Sequence, residues 1–334
     1  MRIGVIGAGT WGVALARMLT NSGNDVTVWS AIGEEIDELG STRRHRNLPG
    51  AVIPEATKFT KELKEAAEDA EIILLAVPSV YVRSTVARLA PMITCKQIIV
   101  NVAKGIEAGT LYTMTEVIRD ELKKYGFPDG IKLIALSGPT HAEEVARDLP
   151  TTIVSASEDE AAARTVQEVF SNTCMRVYTH NDVAGVEISG AFKNIIALAT
   201  GISVGLGFGD NTKAALITRG IAEIARLGVR MGCREQTFAG LAGIGDLIVT
   251  ATSEHSRNNR CGKLIGSGVK PDDAVKQIGM VVEGINALPA AVELAKKYGV
   301  EMPITKTAYD IIFCGKEPKS AVLELMQREK KAEF

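Results

Sequence analysis

The stretch VAGVEISGAFKNIIALATGISVGL, residues 183–206, is apolar around its whole circumference when wound as a helix, yet it carries Lys193 at its centre. An ammonium removed from water is costly without a partner or a ligand charge. Lys193 is therefore either paired with a carboxylate such as Glu187 or Asp246, snorkelling to the surface, or poised for chemistry. A lysine held in an apolar setting suits proton transfer to an oxygen that develops negative charge. Two further stretches carry ligand-binding residue types. The first is GAGTWG, Gly7 to Gly12: Gly7 permits a tight turn, Gly9 lets the backbone approach a diphosphate, and Gly12 lets helix and strand pack closely. The second is GLAGIGDLIVTATSEHSRNNRCGKL, residues 240–264, where Arg257 between hydroxyl and amide groups can bind phosphate in bidentate fashion, as could an exposed arginine loop of no function.

These residues need elements to place them. The glycine motif follows the β-rich run RIGVI (2–6) and opens the helical pattern VALARMLTNSG, and a second strand, DVTVW (25–29), follows. That is the setting a dinucleotide fingerprint requires, with free helix N–H groups aimed at phosphate. A helix is expected over 61–69, a buried strand over 71–77, a helix over 80–89, a strand over 97–102, a helix over 111–125 and a strand over 132–136. Strands at 152–155 and 176–178 bracket a helix at 158–170 and finish the sheet. Uninterrupted apolar strands separated by helices imply a parallel sheet covered on both faces, with ligands beyond the carboxyl ends of the strands. Lys104 and the turn SGPT (137–140) lie at such ends, and Thr140 is placed to cap the next helix. From Asp182 onward only helical patterns occur, interrupted by the polar stretch 240–264, which reads as a long loop. The expected architecture is α/β: a Rossmann-type doubly wound domain over residues 1–182, then an all-α domain over 183–334.

Composition narrows the class. With 334 residues and 46% hydrophobic content the chain can bury two large cores. A net charge of −2 gives no general basic field, so neither nucleic acid nor an anionic membrane is an expected partner. No membrane span is expected either, because the longest uncharged run, 194–209, falls short of roughly 18 apolar residues and contains polar groups. Five scattered cysteines and four scattered histidines show no metal-ligand spacing, so no metal site is expected and the thiols read as reduced. With a strand-like run already at Arg2, no signal peptide is expected, and the cytoplasm is the expected location. A mean hydropathy of +0.10 and the apolar helical half point to a homodimer.

Together GAGTWGVALA, NVAKGIE, LSGPTHAEEVA, the segment around Lys193, GLAGIGDLIVTATSEHSRNNR and VVEG resemble the NAD(P)-dependent glycerol-3-phosphate dehydrogenases of the bacterial type, in order and over nearly the whole chain. The pair Lys193-Asn194 and the triplet Ser256-Arg257-Asn258 are the most specific parts of that likeness. It implies reversible reduction of dihydroxyacetone phosphate to sn-glycerol 3-phosphate with NAD(H) or NADP(H), feeding glycerophospholipid synthesis. The resemblance makes Lys193 the catalytic acid/base. Lys104, Gly138, Thr140, Asp246, Ser256, Arg257 and Asn258 would contact substrate, and Asn194 is a further expected contact. Thr10, Trp11, Lys104, Ala142, Arg257, Val281 and Glu283 would touch the cofactor beside Gly7, Gly9 and Gly12. A dehydrogenase acting on a β-hydroxy acid would want the same basic anchors and stays open as an alternative. A nucleotide-sensing regulator would need a partner-binding or DNA-binding module, for which no signature is visible.

The chain departs from the family at Ala31, where an arginine is common after the second strand. Residues 30–33 (SAIG) offer neither an acid for the ribose hydroxyls nor an arginine for a 2′-phosphate. NADH and NADPH should therefore both be used, with kcat/KM differing by less than about 100-fold, the scale of one charged contact. Steady-state rates with each cofactor check this, and a preference above about a thousandfold would mean that Arg43, Arg44 or Arg46 reaches the 2′-phosphate.

Overall fold

The structure is a computed structural model and describes residues 1–128, 130–330 and 332–333. Eight strands form one sheet: β1 (Arg2–Ile6), β2 (Asp25–Trp29), β3 (Lys58–Thr60), β4 (Ile72–Leu75), β5 (Ile98–Asn101), β6 (Leu133–Ser137), β7 (Thr151–Ala156) and β8 (Met175–His180). Their spatial order is β3-β2-β1-β4-β5-β6-β7-β8. Successive residues of the central strands feed opposite cores. Val5, Ile72 and Leu74 join one buried cluster, whereas Ile6, Ile73 and Leu75 join the other. Two buried faces are why these strands read as unbroken apolar runs.

Two features of the sheet differ from the sequence expectation. The strand β3 is only three residues on the edge, too short to show a period. The second difference is direction: β1 to β6 run parallel, but β7 is antiparallel to β6, and β8 runs parallel to β7. The cause lies in the β6–β7 connection, whose only helix is the four-residue Ala142–Val145. A helix about 6 Å long cannot return the chain past a strand of about 17 Å, so the chain turns back instead.

The chain divides into two compact units, Met1–Glu107 with Tyr112–Glu187, and Ala108–Leu111 with Ile188–Phe334. The second contains helices and no strand among the described residues. Its organising element is Val183–Gly205, 23 residues long. That helix has the length and composition to cross a membrane, but 83% of its most apolar window is buried within the protein, which makes it a core helix. The polar stretch expected to be a loop is instead helical: a π-turn at Leu241–Gly245, then helices Asp246–Thr252 and Arg257–Gly266. Its polar residues suggested solvent, but Asn259 is 2% exposed and its amide donates to the Ala251 carbonyl at 2.8 Å. Polar residues here satisfy buried backbone rather than water.

Helices Val183–Gly205 and Arg257–Gly266 approach backbone to backbone through interleaved glycines. A Cβ on Gly262 would lie 2.2 Å from the Leu198 carbonyl oxygen, and one on Gly266 would lie 2.1 Å from that of Ile202. From the other side, a Cβ on Gly201 would lie 2.1 Å from the Asn259 carbonyl oxygen and one on Gly205 2.3 Å from that of Lys263. No side chain fits at these four positions. Gly262→Ala should consequently destabilise the protein by about 3 kcal/mol or more through overpacking. Gly40→Ala, in the helix Gly33–Thr42 where no atom lies within 4 Å of the added carbon, should stabilise by about 0.5–1 kcal/mol. Denaturant unfolding of the two variants checks the contrast.

Candidate functional site

In the first unit the glycine motif adopts the form its spacing predicts. Gly7 has φ +123°, which a side chain would strain, and a Cβ on Gly12 would lie 2.1 Å from the Gly7 carbonyl oxygen. At Gly9 an added Cβ would meet no atom within 4 Å, so the backbone is open there. The helix Thr10–Asn21 that follows has no side-chain N-cap and no acid in its first turn. Its first N–H groups point along the axis with no intrahelical acceptor, and no acid of its own first turn opposes an anion, so a dinucleotide diphosphate fits this end. Thr10 and Trp11 are its first two residues.

Beyond β2, Ser30 organises its own loop: its hydroxyl donates to Glu35 at 2.8 Å and accepts from the Ile32 N–H at 3.1 Å. Arg43 does not reach toward this loop. It sits in the left-handed region at φ 54°, donates to the Thr57 carbonyl at 2.7 Å, pairs with Glu55 and lies over the Phe59 ring. That leaves Arg44 and Arg46, both exposed, as the arginines of the cluster facing solvent.

Beyond β5 and β6 three expected substrate residues gather on one carbonyl. Lys104 Nζ and the Thr140 hydroxyl each donate to the Gly138 oxygen at 3.3 Å. Thr140 is not a helix cap: the N-cap of Ala142–Val145 is His141, so the hydroxyl stays with the turn. Gly138 is compact by necessity, since a Cβ would lie 3.0 Å from the Ile153 Cα. The sequence reading passed over Asn101, 1% exposed at the end of β5, whose amide donates to the Ala103 carbonyl at 2.9 Å and accepts from its N–H at 3.1 Å. Asn101 fixes the backbone that carries Lys104. The only signal was an amide closing the otherwise apolar run IIVN.

In the second unit Lys193, 6% exposed, donates to Asp246 Oδ1 and to the Thr250 hydroxyl, both at 2.5 Å. Thr250 in turn donates to the Asp246 carbonyl at 2.7 Å. Glu187, the other carboxylate considered as a partner, serves a different purpose. Its carboxylate accepts from the Thr115 N–H at 2.9 Å and from the Thr115 hydroxyl, and burial pushes its pKa up to about 7. Thr250 was missed in the sequence, although it stands four residues after Asp246 on one helix, the spacing that shares a face.

Beside Lys193, three hydrogen bonds form a directed chain. The Gly284 N–H donates to Asn258 Oδ1 at 2.8 Å, Asn258 Nδ2 donates to Asn194 Oδ1 at 3.0 Å, and Asn194 Nδ2 donates to the Gly190 carbonyl at 3.3 Å. The backbone N–H at one end fixes which side of each amide is the acceptor. Ser256 caps the next helix by accepting from the Asn259 N–H at 3.2 Å, and Arg257, half-buried, is its first residue. Glu283 opens helix Glu283–Tyr298, immediately before Gly284, and Val281 lies two residues earlier. Lys193, Asn194, Asp246, Asn258 and the segment 281–284 are thus drawn together by direct contacts or by neighbours in sequence.

Two family models match the chain: the NAD-dependent glycerol-3-phosphate dehydrogenase N-terminus over residues 2–163 and the C-terminus of the same family over residues 182–323. A glycerol-3-phosphate dehydrogenase (NAD(P)+) 2 of Lactobacillus delbrueckii subsp. bulgaricus is 62% identical over 333 residues, covering 100% of this chain and 99% of the relative. A glycerol-3-phosphate dehydrogenase (NAD(P)+) of Bacillus subtilis is 47% identical, covering 100% and 96%. Among solved structures, glycerol-3-phosphate dehydrogenase from Coxiella burnetii superposes with a TM-score of 0.92 at 38% identity, covering 98% of both chains.

The ion pair makes Lys193→Met a different experiment from deleting a lone ammonium. Asp246 is 1% exposed, so the variant leaves a buried carboxylate without its cation. A loss of about 3–5 kcal/mol in unfolding stability is expected. Lys193→Met/Asp246→Asn, which removes both charges, should recover most of that loss, as denaturant unfolding of the two variants will measure.

Proposed function

The chain belongs to the NAD-dependent glycerol-3-phosphate dehydrogenase family, and from that membership and its own Lys193 cluster we infer that it catalyses reversible reduction of dihydroxyacetone phosphate to sn-glycerol 3-phosphate. The observation that carries the reading is a lysine buried in an apolar helix and held in one place by Asp246 and Thr250. Reduction of a ketone builds negative charge on the carbonyl oxygen and then needs a proton there. Lys193 stabilises that charge and delivers the proton, and runs the reverse step as a base. A bound nicotinamide dinucleotide supplies the hydride. Asp246 holds the ammonium in place and receives a substrate hydroxyl.

Phosphate recognition falls to donors. Asn258 has its oxygen occupied by the Gly284 N–H, so what it offers a ligand is N–H. With Asn194, Ser256 and Arg257 it forms a set suited to an oxyanion. The family likeness gives Lys104, Gly138 and Thr140 as further substrate contacts. Gly7, Gly9, Thr10, Trp11 and Gly12 hold the diphosphate, and the family likeness gives Lys104, Ala142, Arg257, Val281 and Glu283 as the remaining cofactor contacts. The enzyme works in the cytoplasm as a homodimer, where its product supplies the glycerol phosphate backbone of phospholipids. The mean hydropathy of +0.10 and the apolar helical half support the homodimer.

The test is purified protein with NADH or NADPH and dihydroxyacetone phosphate, followed by loss of cofactor absorbance. Unphosphorylated dihydroxyacetone should be almost inert, and Arg257→Ala should raise KM for the phosphorylated ketone by at least about tenfold. Lys193→Met/Asp246→Asn should lower kcat by roughly 10²- to 10⁴-fold. Equal rates on the two ketones would remove the substrate assignment, and a kcat within about tenfold of wild type would make the lysine structural.

A further inference from the structure

The segment from Arg43 to Thr57 is a built structure fastened to the nucleotide helix. Leu48, Ala51 and Ile53 are buried in the same core cluster as Val13, Ala14 and Leu15 of that helix. Arg17 Nε donates to the Val52 carbonyl at 3.1 Å, and the Thr57 hydroxyl donates to that of Thr20 at 2.9 Å. Arg43 closes the segment on itself, its carbonyl accepting from the Ile53 N–H at 2.9 Å. At the tip, the Asn47 N–H donates to His45 Nδ1 at 3.1 Å, and Asn47 Nδ2 donates to Thr10 Oγ1 at 3.1 Å. Burial, then Arg46, holds the His45 pKa below its ordinary value, which keeps Nδ1 an acceptor.

Thr10 is the first residue of the helix whose N-terminus takes the diphosphate. A hydroxyl has one proton to give. Because Thr10 Oγ1 accepts from Asn47, that proton is turned away from Asn47 and toward whatever acceptor lies beyond. We propose that Asn47 is a positioning residue of the cofactor site: by donating to Thr10 it orients the threonine hydroxyl as a donor to the diphosphate oxygens. The proposal rests on the dinucleotide reading above. It also makes a distinction of source, because the diphosphate is common to NADH and NADPH whereas the 2′-phosphate is not.

Direct binding tests it, by titrating NADH and NADPH against the protein's tryptophan emission. Asn47→Ala should raise the Kd of both cofactors by the same factor, about tenfold, the scale of one hydrogen bond to a charged group. Asn47→Asp should raise both further, since a carboxylate takes the Thr10 proton for itself and adds charge beside the diphosphate. If Asn47 acts through Thr10, then in a Thr10→Val background Asn47→Ala should change neither Kd again. Thermal unfolding of the unliganded Asn47→Ala protein should match wild type. An unchanged Kd, a loss confined to NADPH, or additive losses in the double variant would overturn the proposal. Failure of the wild-type protein to bind either cofactor would overturn the dinucleotide reading itself, a different result from normal wild-type binding with Asn47→Ala unaffected.

Discussion

Everything in the helical unit is arranged around the cost of keeping a charge where there is no water. Lys193 lies in a helix where Asn194 is the one other polar residue between Ala191 and Ala197, and Asn194 is bonded to Gly190 and Asn258, so the ammonium has to be met by side chains from elsewhere. Asp246 and Thr250 meet it from one short helix. A buried ion pair of this kind is weak evidence of stability, since an apolar pair of similar size would often serve as well or better. It does hold the ammonium in one orientation, and it explains why a lysine is tolerated there.

The second constraint is distance. Interleaved glycines bring the Lys193 helix and the Arg257 helix to backbone contact, so the amides of Asn194 and Asn258 meet across the junction. Small residues are what allow a short polar side chain to bridge two helices; with larger ones the axes would separate and a bond of 3.0 Å would be lost. The Gly284 N–H then sets the polarity of the chain, so that each amide donates onward. The nucleotide unit follows the same logic with different parts. Glycines 7 and 12 permit close approach, Asn101 holds the turn that leads to Lys104, and Asn47 is bonded to Thr10 at the start of its helix.

Sequence alone determined what depends on local pattern. The strand, glycine motif and helix of the nucleotide domain, the alternation that makes a two-faced sheet, and the all-helical second half were legible because hydrophobic period and glycine spacing report local geometry. Lys193 stood out for the same reason, as a charge against an apolar background. The family likeness then assigned roles to residues such as Arg257 and Lys104 that no periodicity could have supplied.

Tertiary structure decided what depends on partners distant in the chain. Glu187 and Asp246 were equal candidates for Lys193 on paper, and only packing sends one to Thr115 and the other to the ammonium. The polar stretch 240–264 looked like a solvated loop because composition cannot tell a polar residue facing water from one satisfying a buried carbonyl. The reversal of β7 and the edge strand β3 depended on a helix too short to cross and a strand too short to show a period. The bonds made by Asn47 and Asn101 were invisible for the same physical reason. A lone amide in a sequence carries no direction, and it acquires one only when folding places its N–H against a particular oxygen.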